Sequence, residues 1–310
     1  MNRLALLLSL LLGSTSCGVL AAETQSPPKD QDRPSQPVEN PIDQVLNEPP
    51  SVSERIKEEE KSERLPFTLQ SHRPTYILPF TYVDGLNRTP FGTKGDSFRH
   101  AEMEFQLSIK FPILKHPLGK NSRLSFGYTQ RAFWQAYDRK ASSPFRETDH
   151  EPELMLDFLT DFKWLGFRNR VLRFGLDHQS NGQSDPLSRS WNRIYAQFIV
   201  ERGGFAFSFK PWYRLPESST TDDNPDITHY MGHGEFSAAF KRAGNEYSLM
   251  LRNNFSTTDN KGAFELGWSF PLDNNLRGYV QVFRGYGESL VDYNVLVTRV
   301  GFGVQLTSWL

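Results

Sequence analysis

The residue types best suited to chemistry stand together in HQSNG, residues 178–182, with Asn192 a short distance on. In RVLRFGLDHQSNG, Leu172, Phe174 and Leu176 alternate with Arg173, Gly175 and Asp177. On a β-strand that parity puts His178 and Ser180 on the apolar face and Gln179 on the polar one. In the next segment Asn192 shares its parity with Ile194, Ala196, Phe198 and Val200. A connecting loop over 181–189 would let the hairpin bring Asn192 beside His178. A serine next to an imidazole whose second nitrogen is held by a carboxamide oxygen has the nucleophile, base and orienter of a hydrolase. Gly182 would let a backbone N–H approach a developing oxyanion. The competing reading is a polar loop rim capped by Asn and Ser turns, and parity alone leaves both open.

Other groups are weaker candidates. GDSF at 95–98 is like the start of a soluble serine-esterase motif, but that motif opens a helix, whereas here an alternating strand follows at 101–111. His229 and His233 have a helical metal-ligand spacing, yet on a strand they would only share a face. TTDDNPD at 220–226 could hold calcium through its carboxylates, and it equally describes a turn.

The elements that position these groups follow from composition and periodicity. The chain has 310 residues, a formal net charge of −1 and 37% hydrophobic residues, which excludes a wholly disordered chain and gives no reason to expect nucleic-acid binding. Residues 1–22 have a basic start at Arg3, an apolar run from Leu4 to Leu12 and a small-residue end near Ala21 and Ala22, the pattern of a cleaved secretory signal. The only cysteine, Cys17, lies inside it, so the mature chain is expected to have no thiol. Residues 23–65 are rich in Pro and charge, which predicts a disordered or loosely docked segment, with RIKEEEKSER at most a short solvated helix.

From about Pro66 to Leu310 the period is two. Met103, Phe105, Leu107, Ile109 and Phe111 alternate with Glu104, Gln106, Ser108 and Lys110. Roughly twelve such segments are predicted, near 74–83, 98–112, 122–137, 151–164, 170–180, 190–201, 204–215, 229–241, 245–255, 261–271, 275–285 and 294–310. Short turns set against longer loops favour an all-β, up-and-down antiparallel transmembrane barrel over a soluble sandwich. Charges of both signs on the polar face, such as Glu104, Asp157, Arg173, Asp177, Arg193 and Arg299, would fill so narrow a barrel and leave no wide channel. Polar side chains against lipid are costly and point to function. His178, Ser180 and Asn192 are three, and Gln130 in LSFGYTQRAFWQAY is a fourth, among outward Leu124, Phe126, Tyr128, Ala132 and Trp134. A bulge that slips the parity there is the alternative to a hydrogen bond with a symmetry mate.

HQSNGQSDPLSRSWNRIY resembles the signature of the bacterial outer-membrane phospholipase A family, with further likeness in SSPFRETDHEP, KPWYRL, TDDNPDIT and GYGESLVDYN. The resemblance covers nearly everything from Pro66 on. It implies a twelve-stranded barrel in the outer membrane, its active site toward the outer leaflet, that uses calcium and works as a reversible homodimer. The implied reaction is hydrolysis of sn-1 and sn-2 acyl esters of phospholipids and lysophospholipids. Carried over, Ser180 is the nucleophile, His178 the base and Asn192 the orienter. Ser188 and the backbone oxygen of Gln183 hold calcium, with Ser142 from the second copy. Gly182 completes the oxyanion hole. Asp185 and Asp223 match a second calcium arrangement of the isolated subunit, and Gln130 matches a dimer-interface position. Gln179 stands where an acidic residue can occur, and the chain ends on Leu310 instead of an aromatic. The rivals are a catalytically silent barrel serving as a narrow channel or adhesin, and a soluble secreted esterase.

Overall fold

The computed structural model describes residues 40–62, 69–139, 142–273 and 276–308. Two helices, α1 (Pro41–Asn47) and α2 (Ser51–Ser62), precede a two-residue strand β1 (Gln70–Ser71). Twelve long strands follow: β2 (Thr75–Asp84), β3 (Ala101–Lys115), β4 (Ser122–Trp134), β5 (Phe145–Trp164), β6 (Phe167–Ser180), β7 (Ser190–Arg202), β8 (Phe205–Arg214), β9 (Gly234–Arg242), β10 (Asn245–Asn253), β11 (Gly262–Asp273), β12 (Leu276–Gly285) and β13 (Val297–Thr307). Every long strand pairs antiparallel with its chain neighbour, and β13 pairs back onto β2, so the sheet closes without an edge.

The alternation in the sequence becomes the two walls of this barrel. Ile77, Leu107, Leu154, Phe174, Leu176, Ile194, Phe198, Phe209 and Phe302 stand exposed on the outside. Glu102, Glu104, Glu153, Asp157, Arg173, Asp177, Arg193 and Arg299 are buried within. Among the described residues no helix is long and apolar enough to cross a membrane; an apolar belt around a closed sheet is the β alternative. The interior is crossed by ion pairs, among them Arg193–Asp177 at 2.7 Å, Arg173–Asp157 at 2.6 Å and Arg299–Glu102 at 2.6 Å.

Tight turns such as Leu165–Gly166 and Gly203–Gly204 lie at one end of the barrel and the long loops at the other. The loop 286–296 folds inward at the long-loop end. There Arg146 meets Asp292 at 2.6 Å and the Val291 amide donates to Glu147 at 3.0 Å.

The tight-turn end holds a correction. Residues 40–62, expected to be disordered or loosely docked, form α1 and α2 and pack against the barrel; residues 1–39 and 63–65, with the secretory signal among them, lie outside the described residues. Val52 and Ile56 are buried beside Val171 and Ala206. Glu59 pairs with Lys110 at 2.8 Å, and the Ser53 amide donates to Glu201 at 2.9 Å. The Gly204 amide donates to Val45 at 2.8 Å, and a Cβ on Gly203, where φ is +55°, would lie 2.3 Å from the Leu46 carbonyl. A glycine turn therefore lets α1 sit this close. RIKEEEKSER is helical as predicted through Ser62 but only one of its sides is solvated.

Strand boundaries differ from the sequence reading most at β5, which starts at Phe145 instead of 151, and at 229–241. Residues Ile227–Met231 form one helical turn, and the strand starts at Gly234. His229 bonds Asp259 at 2.9 Å, so it does not share a strand face with His233.

Candidate active site

Ser180 is the last residue of β6, at the long-loop rim, and His178 precedes it by two on the same outward side. β6 and β7 are in continuous register here, with His178 opposite Asn192 and Ser180 opposite Ser190. The cross-strand pair is bonded: His178 Nδ1 lies 2.9 Å from Asn192 Oδ1. A carbonyl oxygen can only accept, so Nδ1 carries the proton and Nε2 is left with its lone pair. That is the tautomer a general base for Ser180 needs. His178 is exposed and Ser180 half-buried, so the row faces outward from the barrel wall, while the interior cavity of about 240 Å³ lies on the other side of the sheet.

Gln179 points the opposite way, as parity predicts. It accepts a 2.9 Å hydrogen bond from Trp191 Nε1 inside the barrel, so the departure noted at this position does not touch the outward row.

The loop 181–189 is folded around the buried Asn181. Its Oδ1 accepts from the amides of Gln183 at 3.3 Å and Arg189 at 3.0 Å, and its Nδ2 donates to Glu147 at 3.0 Å and to the Leu187 carbonyl at 2.8 Å. Gly182 has φ +64° with open space where a Cβ would stand, so backbone conformation and not crowding calls for glycine. Ser188 donates to the Asp223 carboxylate, which joins two of the proposed calcium residues. Gln183 and Asp185 are exposed on the same loop. Ser142 stands exposed in a different rim loop, with φ +60°, and among the described residues it makes no hydrogen bond to Ser188 or Asp223.

Gln130 faces outward. β4 pairs with β5 without interruption from Ser122 to Phe133, and its register shift against β3 lies at Pro112/Leu114, away from Gln130, so no bulge slips its parity there; Leu107 and His150 flank it on the neighbouring strands.

Two further groups were not singled out in the sequence. His150 sits opposite both Gln130 and Ser180 and bonds Tyr128 through Nδ1 at 2.6 Å. Its outward parity with Leu154 and Leu156 in DHEPELML is the same out-of-place signal that marks Gln130. The second is Glu217, whose Oε1 accepts from Asn192 Nδ2 at 3.3 Å; no periodicity in the loop 215–226 points to it. Directly beneath the row of His178, Ser180 and Asn192, an outer groove of about 660 Å³ is lined by Leu154, Leu156, Phe174, Leu176, Ile194 and Tyr213.

Comparison with known proteins points to one family. A family model described as phospholipase A1 matches residues 52–306. Phospholipase A1 of Salmonella typhimurium is 42% identical over 243 residues, which are 78% of this chain and 82% of that protein, and phospholipase A1 of Escherichia coli K12 gives the same figures. The structure of outer membrane phospholipase A from Escherichia coli superposes with a TM-score of 0.75 at 41% identity, over 79% of this chain and all of that one. The calcium-bound dimer of the Salmonella typhi outer membrane phospholipase also gives 0.75, at 41% identity, over 80% of this chain and 96% of that one. With residues 52–306 matched by one family model and the closed barrel shared with a solved structure at 41% identity, the chain belongs to the outer-membrane phospholipase A family.

Proposed function

We propose that the chain is a calcium-dependent phospholipase of the bacterial outer membrane, hydrolysing sn-1 and sn-2 acyl esters of phospholipids and lysophospholipids as a homodimer. The observation that carries this reading is the His178–Asn192 bond in one row with Ser180, on a wall that faces lipid. Ser180 Oγ attacks the acyl carbonyl while His178 Nε2 takes its proton, then returns it to the leaving glycerol oxygen. Water, activated by the same imidazole, releases the fatty acid from Ser180. The backbone N–H of Gly182, an exposed glycine in left-handed conformation two residues from Ser180, is the oxyanion donor in this reading. The groove below the row is apolar and continuous with the substrate's own medium, so an acyl chain can lie in it without leaving hydrocarbon.

The rim fits a hard cation. Ser188, the Gln183 carbonyl and the carboxylates of Asp185 and Asp223 offer only oxygen, the donor set calcium prefers. When bound, calcium supplies positive charge where the oxyanion forms. Ser188 and the Gln183 carbonyl of one copy would hold it with Ser142 of a second; Asp185 and Asp223 would serve the isolated subunit. The calcium-bound dimer of the Salmonella typhi relative supports this assignment. Long loops of outer-membrane barrels face outward, which supports a row turned toward the outer leaflet.

Fatty-acid release from phospholipid vesicles tests the reading. Ser180→Ala should abolish turnover while keeping the heat-modifiable gel mobility of a folded barrel, and a sulfonyl fluoride should label Ser180 alone. Chelation should stop hydrolysis and added calcium restore it, with Ser188→Asn needing more calcium than the unmodified protein. Turnover by folded Ser180→Ala, or full activity in excess chelator, would overturn the corresponding part. A silent channel or adhesin would release no fatty acid at all.

A further inference from the structure

We infer that Glu217 is a positioning residue of this active site, a carboxylate behind Asn192 that fixes the direction of its amide and lends it negative charge; the inference rests on the hydrolase reading above. Asn192 is gripped at both ends. Its Oδ1 is 2.9 Å from His178 Nδ1, and its Nδ2 donates to Glu217 Oε1 at 3.3 Å. The two ends of a carboxamide have almost the same shape, so its partners decide which way it faces. A carboxylate only accepts. With Glu217 holding the NH2 end, the carbonyl end is the one left for the imidazole, which must then donate from Nδ1. A flipped amide would donate to Nδ1 and move the ring proton to Nε2, and Ser180 would lose its base.

Charge is the second contribution. The imidazolium that forms as Ser180 attacks is stabilised by a carboxylate in most triads, and Asn192 is neutral. Glu217 returns a negative charge one side chain further out.

The loop is built to hold it there. The Leu215 amide donates to the Asn192 carbonyl at 2.8 Å, which ties the strand end to the backbone of the orienter itself. Arg214 then bonds Asp222 at 2.6 Å and the Pro225 carbonyl at 3.0 Å, and the Asp222 amide closes on Ser218 at 3.0 Å. Glu217 is half-buried between these anchors.

The test is the sign of one substitution in two backgrounds, measured on the full-length, calcium-loaded enzyme. In the natural background Glu217→Gln should lower kcat by about fivefold, the difference between a charged and a neutral acceptor, with KM held. In an Asn192→Asp background two carboxylates face each other across the same gap and repel, so Glu217→Gln should raise kcat. In an Asn192→Ala background, with no amide left to orient, it should lose most of its effect. Equal losses in all three backgrounds, or no change in any, would overturn the role. Ser180→Ala run alongside separates the two levels: turnover by that variant removes the hydrolase reading itself. An inactive Ser180→Ala with an indifferent Glu217→Gln removes only Glu217.

Discussion

In the proposed mechanism Asn192 works by direction, with Ser180 as nucleophile. Its oxygen selects the imidazole tautomer, a task that needs a hydrogen bond and not a full charge. The nucleophile has no substitute, whereas a misoriented base still visits the working geometry. Asn192→Ala should therefore retain more activity than Ser180→Ala, by about two orders of magnitude, as steady-state fatty-acid release would show. Equal and total loss in two folded variants would give Asn192 more than an orienting role.

Helix α2 shows what an element can do with little apolar surface. It buries only Ser51, Val52 and Ile56, and ionic contacts complete its docking. Burial alone would push the Glu59 carboxyl up, but Lys110 and then Arg55 outweigh it and hold it at about 2, below the ordinary 4.5. A depressed carboxyl stabilises the docked state fully above its ordinary value, and that stabilisation is lost as pH falls through the docked one. Protection of residues 51–62 from proteases and hydrogen exchange should thus persist down to about pH 4.5 and fade toward about pH 2. Glu59→Gln should remove this dependence and loosen the helix at neutral pH, because breaking a buried pair costs about 3–5 kcal/mol. Hydrolysis should continue, since Ser180 lies at the opposite end of the barrel. Unchanged protection in Glu59→Gln would mean that Val52 and Ile56 suffice.

For the whole molecule the decisive surface is the outer wall of β3 to β6. Leu107, Gln130, His150 and Ser180 face one another in a single cross-strand row, so a two-fold contact centred on Gln130 would lie only two strands from the nucleophile. Assembly and catalysis would then share one patch of wall. Intramembrane hydrogen bonds contribute roughly 0.6 to 2 kcal/mol, which is about 3- to 30-fold in an association constant. Gln130→Ala should shift the protein toward monomer by that factor in detergent sedimentation and lower activity at dilute enzyme, with cross-linked pairs recovering it. An unchanged dimer fraction would exclude Gln130 as the anchor.

What the sequence determined by itself is whatever a strand fixes locally. Side-chain direction alternates with every residue, so parity alone put His178, Ser180 and Asn192 on one face and Gln179 on the other, and the same rule separated the apolar belt from the charged interior. Loop and turn residues then gave the alternating connections of an up-and-down barrel. Tertiary structure decided everything that depends on partners far along the chain. The polar RIKEEEKSER reads as solvated because its apolar residues are few, and it docks because Glu59 meets Lys110 on a strand some fifty residues later. His150 gains its place beside Ser180 only through the register of β5 on β6. Glu217 sits in a loop without period, and only the closed hairpin of β7 and β8 carries it to Asn192. Local chemistry sets which way a side chain points, and the fold sets what it meets there.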